Sequence, residues 1–125
     1  MDIVESLRSK FKKVDNDCWL AQSVDLSDRD ELYYQPFDGC AVFVRPDYFP
    51  SNNLAEVSIS LRPLDEDESY RGSGIYWVRH IHKQEVWKLA KTAVDLLNTY
   101  HYPCGKYDLD IDNLDTALQG LGFYN

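Results

Sequence analysis

Three histidines, one neighbouring cysteine and several groups of acids are the residues of this chain whose types and spacing suit chemistry. In "RHIHKQE", His80 and His82 stand two apart, so in a strand they share a face on which two imidazoles can chelate zinc. Neither H-E-x-x-H nor paired cysteines accompany them, and edge or surface histidines are the plainer reading. In "YHYPC", His101 and Cys104 pair a base with a thiol, but at a helix end followed by a proline turn, a poor rigid platform for a nucleophile. "DLDIDNLD" sets Asp108, Asp110 and Asp112 at the spacing of the first half of a calcium loop. That loop needs glycine at its sixth position and glutamate at its twelfth; Asn113 and Gln119 stand there instead. Leu109 and Ile111 follow a strand's alternation, so Asp108 and Asp110 are expected on its solvent face. Asp112 or Asn113 then caps the next helix. "GSG" at 72–74 lacks the lysine of a phosphate loop, and no nucleophile elbow, dinucleotide fingerprint or kinase motif occurs. No catalytic residue, metal or cofactor is expected. A small metal- or ligand-binding domain using His80 and His82 stands as one alternative.

Acids set beside aromatic residues carry more weight. "PLDEDESYRGSG" runs Asp65, Glu66, Asp67 and Glu68 together and follows them with Tyr70. "DLSDRDELYYQPFDG" brings Asp28, Asp30 and Glu31 before Tyr33, Tyr34 and Phe37. Tyrosine offers a large contact area with a polar tip, which suits interface anchors, and acids around it steer a basic partner. These eleven residues are the expected partner-binding set. The opposing expectation is that some of the rings fill the core and the acids are a solvated surface.

The elements that must position them are legible from periodicity. Residues 2–13 read as a helix, with Ile3, Leu7 and Phe11 on one stripe. "CWLAQSV" reads as a first strand, and the polar stretch to Gly39 as a long loop. "CAVFVRP" at 40–46 is a strand stopped by proline. "AEVSISLRP" at 55–63 alternates cleanly and is expected to keep one wet face. "GIYWVRHI" at 74–81 is another strand, reached through the acidic run as a long hairpin connection. "KQEVWKLAKTAVDLLNTY" is the clearest helix, with Val86, Leu89, Ala90, Ala93, Val94, Leu97 and Tyr100 on its buried face. "KYDLDI" is a last strand and "NLDTALQGLGFY" a last helix. The order α-β-β-β-β-α-β-α predicts an α+β fold: an antiparallel sheet of four to five strands with helices packed on one face, a single domain over residues 1–125.

Composition bounds the function. The chain has 125 residues, 44% of them hydrophobic, and a formal net charge of −8. Residues 1–13 hold four bases and two acids, a local +2, so the rest carries −10. That balance counts against direct nucleic-acid or membrane binding, both of which need a basic face. No apolar run is long enough to span a bilayer, and the N-terminus does not read as a signal peptide. Cys18, Cys40 and Cys104 are odd in number and widely spaced, which fits reduced thiols and a cytoplasmic location. The expectation is a non-enzymatic protein that binds and inhibits a basic protein partner. Its most concrete forms are an immunity protein against a nuclease-type toxin and a phage-coded inhibitor of a host defence nuclease. The alternative is a homodimeric adaptor; in size and acidity the chain resembles type III secretion chaperones. Whether the protein is a monomer or a homodimer is open at this point.

Overall fold

The computed structural model describes residues 3–13, 31–37, 39–61, 75–101 and 109–124. They form α1 (Ile3–Arg8), β1 (Lys12–Lys13), β2 (Leu32–Phe37), β3 (Cys40–Phe49), β4 (Leu54–Leu61), β5 (Ile75–His82), α2 (Val86–Thr99) and α3 (Ile111–Gly120). The five strands make one antiparallel sheet in sequence order, β1-β2-β3-β4-β5. The α+β class and the five-stranded sheet match expectation; the order, α-β-β-β-β-β-α-α, does not match in detail.

Alternation decides what each strand face meets. Val42 and Val44 of β3, Ala55, Val57, Ile59 and Leu61 of β4 and Trp77 of β5 point to one side and join a single buried cluster. Cross-strand register aligns them: Val42 with Ile59, Val44 with Val57, Ile59 with Trp77. Helix α2 covers this side with Val86, Leu89, Ala90, Ala93, Val94 and Leu97, the stripe its 3–4 spacing predicts. Each leucine there is worth roughly 1.5–3 kcal/mol of burial. Leu114 and Leu118 of α3 and Leu7 of α1 complete the layer. The Trp77 ring is fully buried, and its indole Nε1–H donates to Asp115 Oδ1 of α3 at 2.7 Å. Cys40 is a free buried thiol, pushed above its usual range by burial.

Several expectations need correction. α1 ends at Arg8, and the chain turns so that Phe11 still reaches the core while Lys12 and Lys13 pair with β2. The stretch from Leu32 to Phe37 is a strand, not a loop. Its alternation is hard to see because Tyr33, on the outer face, is as aromatic as Tyr34 on the inner one. Pro36 is tolerated where the β2–β3 register shifts, between Tyr34 and Phe37. β3 likewise runs through Pro46, because its ladder with β4 is interrupted between Arg45 and Phe49. Of the strand expected at "KYDLDI", the described residues supply an isolated bridge between His101 and Leu109. Asp110, not Asp112 or Asn113, caps α3: its carboxylate accepts from the Asn113 backbone N–H at 3.3 Å. The strand expected at "CWLAQSV" lies outside the described residues.

The largest correction concerns β4. Glu56, Ser58 and Ser60 face away from the helices as expected, yet they are 6%, 3% and 5% exposed. The outer face of the sheet is buried along β4, not wet.

Candidate functional site

The outer face carries a row of polar groups set by strand register. Arg45 on β3, Glu56 on β4 and His80 on β5 are consecutive cross-strand partners. Antiparallel pairing therefore brings a guanidinium, a carboxylate and an imidazole to one line without any sequence motif. Glu56 Oε2 lies 3.3 Å from His80 Nε2 and 3.9 Å from Arg45 Nη1. Glu56 Oε1 accepts from the Tyr76 hydroxyl at 3.4 Å. A carboxylate that is 7% exposed has little access to water; the Tyr76 hydroxyl donates to it, and Arg45 and His80 lie within ion-pair distance. The chemical consequence is a buried carboxyl group that accepts from Tyr76 and lies beside a guanidinium and an imidazole.

Tyr76 is the exposed end of the arrangement. The residue keeps 47% of its surface, while its hydroxyl is drawn down onto Glu56. Burial of that hydroxyl, then the charge of Glu56, push its pKa up to about 12; a Ser58 hydrogen bond pulls the other way, and Glu31 adds a smaller upward push. Tyr76 therefore stays a neutral donor at physiological pH. Tyr124, bridged by its backbone to Val78 on the same edge of the sheet, is 55% exposed. These two tyrosines are the exposed large hydrophobic side chains among the described residues.

The expected partner-binding residues separate by strand face. Glu31 immediately precedes β2 and contributes to the field at Tyr76. Tyr33 lies on the outer face, its ring 6.1 Å from that of Phe43. Tyr34 and Phe37 pack against the core on the inner face; Tyr34 sits 5.6 Å from Phe11, and Phe37 stacks on His101 at 3.8 Å. Asp28, Asp30, Asp65, Glu66, Asp67, Glu68 and Tyr70 lie outside the described residues. His80 and His82 share the outer face, as strand alternation requires, and His80 is engaged with Glu56. Among the described residues no three histidine, cysteine, aspartate or glutamate side chains group to hold a metal ion. Glu56, Arg45 and Tyr76 were not legible as a site. Glu56 reads as one more polar residue of a half-wet strand, and only the register with β3 and β5 reveals its partners.

Charge is partitioned between frame and connections. The described residues include nine bases and nine acids and are neutral in sum. The remaining positions hold four bases and twelve acids, the whole of the −8. Nine of these twelve acids fall in the segments joining β1 to β2 and β4 to β5. No described helix is long and apolar enough to cross a membrane. Against protein-family models, characterised proteins and solved structures the chain finds no match, so the site's own geometry and charge carry the functional reading.

Proposed function

We propose that this protein binds a basic protein partner and neutralises it without catalysis, as an immunity protein against a nuclease-type toxin or a phage-coded inhibitor of a host defence nuclease does. The observation that carries the reading is the charge partition: a packed sheet-and-helix frame that is neutral in sum, with −6 of the −8 in the segments joining β1 to β2 and β4 to β5. Carboxylates on such segments can occupy the positions that substrate phosphates take in a basic active site. Their field also speeds encounter with a positive surface. Tyr33, Tyr76 and Tyr124 lie on or beside the outer face and offer aromatic anchors next to that charge. A cytoplasmic location goes with this reading and draws support from the free, buried Cys40. The homodimeric adaptor draws less support, since a large exposed apolar face is not found among the described residues.

The test is affinity capture with the intact protein and a variant in which Asp65, Glu66, Asp67 and Glu68 are all serine. A basic protein should be retained at low ionic strength, released by salt, inhibited on binding, and retained less by the variant. Equal retention and equal inhibition by both proteins would exclude these acids from the interface.

A further inference from the structure

We propose that Leu121–Tyr124 is a strap that guards the outer edge of β5, and that its release lets β5 pair with β5 of a second copy of this chain. This goes beyond the reading above, because it concerns self-association and not the basic partner. β5 is the last strand of the sheet. Its eight residues, "IYWVRHIH", include no proline and no acid, and Ile75, Tyr76, Trp77, Val78 and Ile81 are β-branched or aromatic. A strand of that composition at a sheet edge is a template for another strand unless something covers it.

Local structure aims the strap. Gly122 takes φ +91°, the left-handed conformation that ends α3. The Gly122 N–H donates to Gln119 O and the Phe123 N–H to Leu118 O, each at 3.0 Å, so the helix closes in a Schellman turn. Phe123 and Leu118 both enter the core. From β5, Arg79 Nη1 donates to Leu121 O at 2.6 Å. A Cβ at position 122 would lie 3.2 Å from Arg79 Nε, so this close approach favours glycine. Tyr124 then crosses from α3 to the strand. The Val78 N–H donates to Tyr124 O at 2.9 Å, and the Tyr124 N–H to Val78 O at 3.0 Å. Val78 is the fourth of eight residues, so this one bridge obstructs the edge at its middle.

The same register argues the occupant. Val78 turns both backbone groups to the outer edge, and antiparallel alternation turns those of Tyr76 and His80 the same way. An antiparallel β5–β5 pair centred on Val78 is therefore two-fold symmetric, and the two Val78 residues exchange the bonds that Tyr124 now makes. Across the axis Tyr76 faces His80, Ile75 faces Ile81 and Trp77 faces Arg79, so apolar residues meet and no like charges oppose each other. The pairing occupies the same edge in both copies and stops at two chains.

The experiment is light scattering over a range of concentrations, with hydrogen exchange of the Val78 amide. Tyr124→Pro removes the N–H that bonds Val78 O, whereas Tyr124→Ala keeps the backbone bridge. The parent and Tyr124→Ala should show one chain, 14.5 kDa. Tyr124→Pro should approach twice that mass, with self-association strengthened about tenfold or more. Its Val78 amide should exchange faster when dilute and slow again as the dimer forms. If Tyr124→Pro impairs folding, Gly122→Ala, strained at its positive φ and set against Arg79, serves in its place. A mass of one chain for the folded variant at every concentration overturns the proposal, whether or not the Val78 amide opens. Equal association of the parent and the variant overturns the guarding role. A mass that grows past two chains overturns the two-fold pairing.

Discussion

Replacing Glu56 tests whether the outer-face cluster is a fixed structural charge. At 3.9 Å and an effective dielectric constant of about 20, its attraction to Arg45 is about 4 kcal/mol before desolvation. Withdrawing a carboxylate this far from water costs several kcal/mol, so most of the gross attraction is offset. Removing Glu56 alone is still unfavourable, because the Tyr76 hydroxyl loses its acceptor and Arg45 a nearby counter-charge. The loss is moderated here, since Arg45 and His80 keep 20% and 28% of their side-chain surface and can turn towards water. Glu56→Ala should therefore cost about 2 kcal/mol, below the roughly 3–5 kcal/mol of breaking a wholly buried pair. Glu56→Gln should cost about 1 kcal/mol, since the amide oxygen still accepts from Tyr76. A double-mutant cycle of Glu56→Ala with Arg45→Ala should return a coupling of about 1 kcal/mol. The assay is urea unfolding followed by tryptophan fluorescence, in which the midpoint falls at unchanged slope. A coupling under about 0.3 kcal/mol, or a gain in stability for Glu56→Gln, would refute the reasoning, because the cluster would then be a crowded arrangement without net attraction.

Two further outcomes follow from the same layers. The Tyr76 hydroxyl titrates near 12 in the folded protein against 10.0 in the unfolded chain, so its protonated form stabilises the fold fully below pH 10 and that contribution is lost as pH rises towards 12. Discounted for a residue 47% exposed, the loss is about 1 kcal/mol. Tyr76→Phe should flatten the alkaline fall in urea midpoint; a profile as steep as that of the parent would assign the fall to other groups. Trp77→Phe removes a 2.7 Å bond to Asp115 at a site with no solvent access and should cost about 2–4 kcal/mol. Asp115→Asn retains an acceptor and should cost about 1 kcal/mol, and equal losses in thermal melts would deny the indole bond its role.

The parts of the fold that show in the sequence are those in which one apolar face repeats at a fixed period. The stripe from Val86 to Leu97 carries its own helix, and the run Val57, Ile59, Leu61 its own strand. What was misread lies where two demands overlap. Tyr33 and Tyr34 serve opposite faces of β2 with the same residue type, which hides a strand's alternation. Asp110 acts as a helix cap although it continues the alternating pattern of the preceding stretch. Pro46 looks like a terminator, yet it sits in a strand whose ladder is locally broken.

Composition and periodicity were sufficient for the α+β class, the helix-covered sheet and the uneven distribution of charge, because each depends on residue types read in order along the chain. Tertiary structure alone decided that the second face of β4 is buried, and that Arg45, Glu56 and His80 form one row. The physical reason is the same in each case. Residues eleven and twenty-four positions apart, as Arg45 and His80 are from Glu56, become neighbours only through strand register, and no local pattern in the chain records which strand lies beside which.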